Sequence, residues 1–322
     1  MKNNRTVVFL LAVAAACLHA PSVSAQDFPN RSISMVVPYA AGGGNDILAR
    51  AVGKGMSSVL QQSVVIENRS GASGAVGLSN VARSRPDGYT IVMGGIGSVV
   101  LRAAMEGDKQ TFDAEKELAP VALVAKGSPV LMVSTSLNVK SLKDLIALSR
   151  KQQVTYGTPG IGSAMHLAGE LMRQVADAPV VHVPYRGQAP AMNDLIAGTI
   201  GFVFTDVSVA LPYADFDKVS IIAISGKERA PQLPNVPTTA ELGYPGLVME
   251  NWYALYAPRD TPAPIVKRLS DAAIGAIELP EVRQIIEKNT GLIPLAGGSE
   301  ALRQQAQTDM ARWRPIADRA RK

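Results

Sequence analysis

Two segments of this chain share one form: an apolar strand, a Pro/Gly-rich turn, then a helix start made of small residues. The first is Met35-Val-Val-Pro-Tyr-Ala-Ala-Gly-Gly-Gly-Asn-Asp46 and the second is Val154-Thr-Tyr-Gly-Thr-Pro-Gly-Ile-Gly-Ser163. Glycines permit a sharp turn and remove the Cβ atoms that would keep a ligand from the backbone. The first N–H groups of the following helix lack internal partners, and the helix dipole favours negative charge there. Two such turns can close on an anion from opposite sides. Either alone is equally an ordinary strand-to-helix connection.

The alternation around these turns predicts an α/β fold. Strands are expected at Ile33–Val37, Ser63–Glu67 and Tyr89–Met93, with a helix over Asn45–Leu60 whose apolar residues recur every three to four positions. Strands that alternate with helices imply parallel pairing. Val121–Ala125 and Pro129–Ser134, joined by Lys126-Gly-Ser128, suggest a crossing into a second lobe. There the pattern repeats: helix 141–150, strand 154–156, helix 163–175, strand 180–183, helix 189–197, strands 202–205 and 220–225. Trp252–Ala257 is expected to return to the first lobe, and helices 262–277, 280–289 and 299–320 to finish it. The expected division is a leader at 1–25, lobe one at 26–126 and 249–322, and lobe two at 127–248. Two chain crossings of this kind can serve as a hinge.

The N-terminus reads as a secretory leader. Lys2 and Arg5 precede the apolar run Val7–Leu18, and Val23 and Ala25 satisfy the small-residue rule for cleavage before Gln26. The run is shorter than the ~20 residues of a membrane span. Cys17, the one cysteine, falls inside this leader. Lipidation there is disfavoured, because Ala14-Ala-Ala-Cys17 has no leucine three residues before the cysteine. The mature chain then has no thiol, so its stability rests on a packed core. Its formal charge of +5 falls by two with the leader, and no basic run interleaved with aromatics points to nucleic acid.

Enzyme signatures are missing. There is no Gly-x-x-x-x-Gly-Lys-Ser/Thr, and Gly71-Ala-Ser-Gly74 is one residue short of a nucleophile elbow. Gly95-Ile-Gly97 lacks the third glycine of a dinucleotide turn. The mature histidines, His166 and His182, have no metal-ligand spacing, so no metal or other cofactor is expected. The remaining candidates suit binding. Ser163 is a natural N-cap for the helix carrying His166. His166 either donates to a ligand oxygen or packs in the core. Arg186, in Pro184-Tyr-Arg-Gly-Gln-Ala-Pro190, either clamps a carboxylate or forms a structural ion pair. Asp206 ends a strand where α/β folds bind ligands; it holds a cationic group or a water, or caps the next helix. Asp46 either serves the site or caps the first helix. Tyr39 offers an aromatic wall or fills the space between lobes, and Ser98 a hydroxyl or a cap.

Taken together, several stretches resemble the Bug-type periplasmic solute-binding proteins, the receptors of tripartite tricarboxylate transporters. They are Val37-Pro-Tyr-Ala-Ala-Gly-Gly-Gly-Asn-Asp-Ile-Leu-Ala-Arg50, Glu67-Asn-Arg-Ser-Gly-Ala-Ser-Gly-Ala-Val-Gly77 and Pro86-Asp-Gly-Tyr-Thr90. Further along come Tyr156-Gly-Thr-Pro-Gly-Ile-Gly-Ser163, His166-Leu-Ala-Gly-Glu-Leu171, Val183-Pro-Tyr-Arg-Gly-Gln-Ala-Pro190, Leu233-Pro-Asn-Val-Pro-Thr238 and Ala240-Glu-Leu-Gly243. The resemblance implies a two-lobed Venus-flytrap fold of type II, each lobe a mostly parallel sheet between helices. It implies capture of a small carboxylate or related polar organic ligand, no catalysis, a monomer, and membrane permease subunits as partners. A sensor subunit for a membrane kinase is the alternative receptor role. A periplasmic enzyme using Arg186, His166 and Asp206 is the alternative of another class. Carried over by position, the ligand contacts are Tyr39, Ala41, Gly42, Gly43, Asn45, Asp46 and Ser98 from one lobe. From the other they are Gly160, Ile161, Gly162, Ser163, His166, Arg186, Gly187 and Asp206. Two departures stand out: Asn45 replaces a common threonine, and Gly94–Arg102 followed by Glu106-Gly-Asp-Lys109 replaces a Ser/Thr-rich turn and an Asn-Pro.

Overall fold

The computed structural model describes residues 28–107, 110 and 112–320. The leader with Cys17, and Asp108 and Lys109 of the divergent charged stretch, lie outside the described residues.

Eleven strands among the described residues build two sheets. The first has the order β11-β4-β10-β3-β1-β2, from β1 (Ile33–Val37), β2 (Val64–Asn68), β3 (Thr90–Gly95), β4 (Leu118–Gly127), β10 (Asn251–Pro258) and β11 (Ile293–Gly298). The second has the order β7-β6-β8-β5-β9, from β5 (Val130–Ser134), β6 (Val154–Thr158), β7 (Val180–Pro184), β8 (Phe202–Thr205) and β9 (Val219–Ile224). The chain passes between sheets twice, from β4 into β5 and from β9 back to β10.

The sheets are mixed where mostly parallel ones were expected. β1 pairs in parallel with β2 and β3, and β6 with β7 and β8. The strands at the crossings differ: β10 is antiparallel to β3 and β4, and β5 to β8 and β9. A parallel pair needs a crossover helix, and strands that carry the chain from one sheet to the other have none at the passage.

The central strands are buried on both faces, as continuous apolar runs such as Ile33-Ser-Met-Val-Val37 require. Helix α1 (Gly44–Leu60) covers β1 and packs on α6 (Ala263–Glu278). They approach so closely that a Cβ on Gly55 would lie 2.9 Å from that of Ala276. Between them come α2 (Ala75–Ala82), α3 (Leu142–Ser149), α4 (Ala164–Ala176) and α5 (Gln188–Ile196). The C-terminal helix α7 (Ser299–Ala320) is pinned to the first sheet by Trp252, whose Nε1 donates to buried Asp309 at 2.7 Å.

Two elements escaped the sequence pattern. β3 runs into a π-turn over Gly97–Leu101 and a short helix over Arg102–Glu106. The expected helix 280–289 splits into Pro280–Gln284 and a second π-turn, Ile285–Asn289, ahead of edge strand β11. β11 is bulged against β4 and has no buried face, so it shows no alternation to read.

Candidate functional site

Both Gly-rich turns contribute to one cavity, but they abut different neighbours, the first Gln188, Ala189 and Asp206 and the second Ser73 and Arg102. In the first, Gly43 is the extended N-cap of α1, with no side-chain cap. The N–H of Gly44, the opening residue of α1, reaches across to the second lobe and donates to Gln188 Oε1 at 3.1 Å. A Cβ on Gly44 would lie 2.5 Å from Asp206 Oδ2, so glycine is what allows the lobes to meet there. Asp46 is turned inward. Its carboxylate accepts from the Gly42 N–H, the Arg50 guanidinium and Asn68 Nδ2. Burial pushes this carboxyl up, and those hydrogen bonds outweigh it and hold it below its ordinary range. Asp46 thus braces the turn.

The second turn is satisfied from within. Gly160 and Gly162 adopt φ of +132° and +82°, which favour glycine. The Gly160 N–H donates to Thr158 Oγ1 at 3.1 Å, and the Gly162 N–H to His166 Nδ1 at 3.1 Å. Ser163 caps α4 by accepting from the His166 N–H. An accepting Nδ1 places the proton of neutral His166 on Nε2, 3.8 Å from Glu170. His166 stacks on His182 with ring centroids 4.1 Å apart. Burial pushes both histidines down to about 4, so both are neutral near pH 7. Of the two sequence readings of His166, the geometry matches the packed one.

Between the turns lies a cavity lined by Tyr39, Gly43, Gly44, Asn45, Gly95, Gly97 and Ser98 from the first sheet's side. Pro159, Ser163, Ala164, Met165, Gln188 and Asp206 line it from the second, and Asn251 and Tyr253 from β10. The Gly44 N–H on Gln188 Oε1 and Asn251 Nδ2 on Asp206 Oδ1 hold the two sides of the cavity together. Asp206 is its most polar wall. Gln188 Nε2 donates to Asp206 Oδ2 at 2.6 Å and Asn251 Nδ2 to Oδ1 at 3.1 Å. Burial raises the Asp206 carboxyl above its ordinary value, with hydrogen bonds from Tyr253, Gln188 and Asn251 opposing. Burial likewise pushes Tyr39 up to about 12, against a hydrogen bond with Ser98, so the phenol is neutral.

A second compartment of about 420 Å³ adjoins the first, sharing Tyr39 and Pro159. Gly160, Ile161 and Arg186 line it, with Ser73, Arg102 and Glu106 opposite. Ser73 Oγ donates to the Ile161 carbonyl between the lobes. Arg186 is exposed and makes no ion pair among the described residues. The structural ion pair weighed for it is therefore not seen there. Buried Arg102 donates to the Ser98 and Phe112 carbonyls and to Glu106.

Tyr39, Gly43, Asn45, Ser98, Ser163 and Asp206 therefore share the closed cavity, while Gly160, Ile161 and Arg186 fall in the compartment beside it. Ala41, Gly42, Asp46, Gly162, His166 and Gly187 line neither. Arg186, His166 and Asp206, grouped in the enzyme alternative, do not converge on one space. Sequence reasoning passed over Gln188, Asn251 and Tyr253. Gln188 stood inside a quoted motif, flanked by the more conspicuous Arg186. Asn251 and Tyr253 lie on a returning strand whose register no local pattern reveals. Among the described residues no cluster of His, Cys, Asp or Glu could hold a metal, and no helix is long and apolar enough to cross a membrane.

The model of the tripartite tricarboxylate transporter family receptor matches residues 48–321. The protein BugT of Bordetella pertussis is 30% identical over 303 residues, spanning 94% of this chain and 92% of its own. MatC of Rhodopseudomonas palustris, solved with bound malate, is 30% identical with a TM-score of 0.85, covering 90% of this chain and 100% of that one. The R. palustris protein Rpa4515, solved with adipate, is 31% identical with a TM-score of 0.84, covering 91% and 98%.

Proposed function

The chain belongs to the tripartite tricarboxylate transporter receptor family, and from that premise we propose that it captures a small carboxylate between its lobes for membrane permease subunits. As a member of that family it is a periplasmic carboxylate-binding receptor of the Bug type. Export through the leader, with cleavage after Ala25, fits this location. The observation that carries the reading is the start of α1. The start of a 17-residue helix lines an inter-lobe cavity, and its first N–H, that of Gly44, is answered from the other lobe by Gln188 Oε1, with Asp206 alongside. A ligand carboxylate placed there answers the helix amides in place of the Gln188 oxygen. The malate and adipate found in relatives are acids of this size class.

Closure is driven only by contacts that exist in the closed state. Gly44 N–H to Gln188, Ser73 to Ile161 and Asn251 to Asp206 are contacts of that kind. The two passages between sheets supply the hinge, and residues 127–248 are the moving lobe. The ligand is released unchanged, because the polar groups needed for acid–base work are dispersed. A thermal-shift screen of mono-, di- and tricarboxylates tests the reading. A true ligand at a hundredfold excess over Kd stabilises by roughly 2.7 kcal/mol. No hit among these acids on ligand-free protein contradicts it.

A further inference from the structure

His166 lines neither compartment, yet it is tied to the turn that frames them. Its Nδ1 accepts from the Gly162 N–H at 3.1 Å, and its own backbone N–H is capped by Ser163 Oγ. Gly162 is buried, with φ +82°, and a Cβ there would lie 2.9 Å from the Arg102 Cα. The turn has little room, and the group that holds its buried amide comes from α4.

The neighbouring amide is held through a longer chain. The Gly160 N–H donates to Thr158 Oγ1 at 3.1 Å, and that oxygen stands 2.6 Å from His182 Nε2. The Thr158 hydroxyl sends its own proton to His182 rather than to the Gly160 carbonyl at 3.3 Å. His182 is thus an acceptor too, and its ring stacks on that of His166 at 4.1 Å. Both amides of the turn depend on one pair of neutral imidazoles. Pro159, Ser163, Ala164 and Met165, which the turn carries, line the inter-lobe cavity.

We infer that His166 is a positioning residue for ligand capture: its neutral Nδ1 holds the second turn in the binding shape, and a proton on Nδ1 releases it. This rests on the receptor reading above. Nδ1 carries the one lone pair a proton can take, and the new N–H would then confront the Gly162 N–H. Burial, and Arg173 on the same helix, keep the ring neutral. His182 on β7 opposes a second charge beside it. Glu170, 3.8 Å from Nε2, favours the charged ring, but Arg173 at 3.0 Å and the Tyr156 hydroxyl of β6 at 3.1 Å already engage it. Arg102, packed on Gly162, has its guanidinium turned to Ser98, Glu106 and Phe112. A turn that loses its acceptor spends less time in the binding shape, and affinity falls by that fraction.

The test compares two substitutions in the isotope-labelled mature protein. In His166→Asn the side-chain oxygen lies the same number of bonds from the backbone as Nδ1 and does not titrate; His166→Leu offers no acceptor. Without ligand, exchange of the Gly162 amide should stay slow in the parent and in His166→Asn, and quicken at least about tenfold in His166→Leu. On acidification the Gly162 amide resonance should move together with the His166 ring in the parent, and stay put in His166→Asn. Calorimetric titration at neutral pH uses malate and adipate. His166→Leu should bind them at least about tenfold more weakly, and His166→Asn within about threefold of the parent. If His166→Leu does not fold, Thr158→Val against Thr158→Ser repeats the comparison at Gly160. Equal exchange and equal affinity in the asparagine and leucine variants overturn the inference and leave the receptor reading intact. A lowered melting temperature in His166→Leu with unchanged affinity also overturns it, as does a Gly162 resonance that ignores the His166 titration. No binding of either acid by the parent counts against the receptor reading for these acids, and the ligand-free exchange and titration then decide the inference by themselves.

Discussion

Gln188 and Gly44, 144 residues apart, meet across the cleft: the Gly44 N–H donates to Gln188 Oε1 at 3.1 Å. The same carboxamide donates through Nε2 to Asp206 at 2.6 Å. One side chain thus joins the start of α1 to the end of β8. Its Oε1 stands at the helix start, where an anion's oxygen would accept from the same N–H.

Gln188→Leu should therefore loosen the empty closed form. The Gly44 N–H loses its acceptor and Asp206 a donor, a cost of about 1–3 kcal/mol for buried groups left unpaired. Small-angle scattering of the ligand-free variant should show a larger radius of gyration than the parent. An unchanged radius and unchanged melting temperature would mean that this bridge does not help hold the lobes together.

Gly44→Ala should block closure while sparing the lobes. Its Cβ would lie 2.5 Å from Asp206 Oδ2, nearer than real Cβ contacts come. Ligand affinity should fall at least tenfold, with the circular dichroism spectrum retained. The control is Gly275→Ala in α6, where the nearest atom would be Val59 Cγ2 at 3.7 Å. That change should leave binding untouched and stabilise by up to about 1 kcal/mol, the helix-propensity difference between glycine and alanine. Titration of both variants separates a closure effect from a general loss of fold.

Stability should fall in mild acid. His166 and His182 are held near 4 when folded, against an ordinary value of 6.5, by burial. The unfolded chain therefore binds more protons between those values. The contribution of the pair is fully present above pH 6.5 and is lost as pH falls through 4. Denaturant titrations across pH 4–8 should show this slope, and His182→Gln should flatten it. Buried Asp206, raised by desolvation, contributes with the opposite sign. A flat profile from pH 7 to 4.5 contradicts the assignment.

Trp252 and Asp309 give a prediction separable from binding. The indole N–H donates to Asp309 Oδ2 at 2.7 Å, where Gln305 Nε2 also bonds, away from the cleft. Asp309→Leu should cost about 1–3 kcal/mol by leaving a buried donor unpaired, with ligand affinity unchanged. Denaturation and titration of the same sample check both halves.

How much of this was legible in sequence follows from the range of each signal. The turn glycines and the α1 stripe are local, so Gly43 and Gly160 were legible in the turns themselves, whereas Asn45 came in only with the family resemblance. The alternation of strands and helices gave the α/β class, because period and punctuation are local too. The antiparallel crossings were not legible, since strand direction in a mixed sheet depends on partners far along the chain. The functions of Asp46 and His166 depended on distant or folded neighbours. Asn68 reaches Asp46 from β2, and the Gly162 amide meets His166 only once the turn has closed. Gln188 and Asn251 were invisible for the same reason: each matters through a residue on another element, Gly44 or Asp206.

A small carboxylate is expected at the start of α1, between the lobes. The most direct measurement is a crystal structure of the protein with the acid that gives the largest thermal shift. A ligand carboxylate oxygen should lie about 2.7–3.2 Å from a backbone N–H at the start of α1, with the Gln188 carboxamide displaced from Gly44. A ligand found outside the inter-lobe cleft, or one inside it that leaves Gln188 on Gly44 and no carboxylate at the helix start, would contradict it.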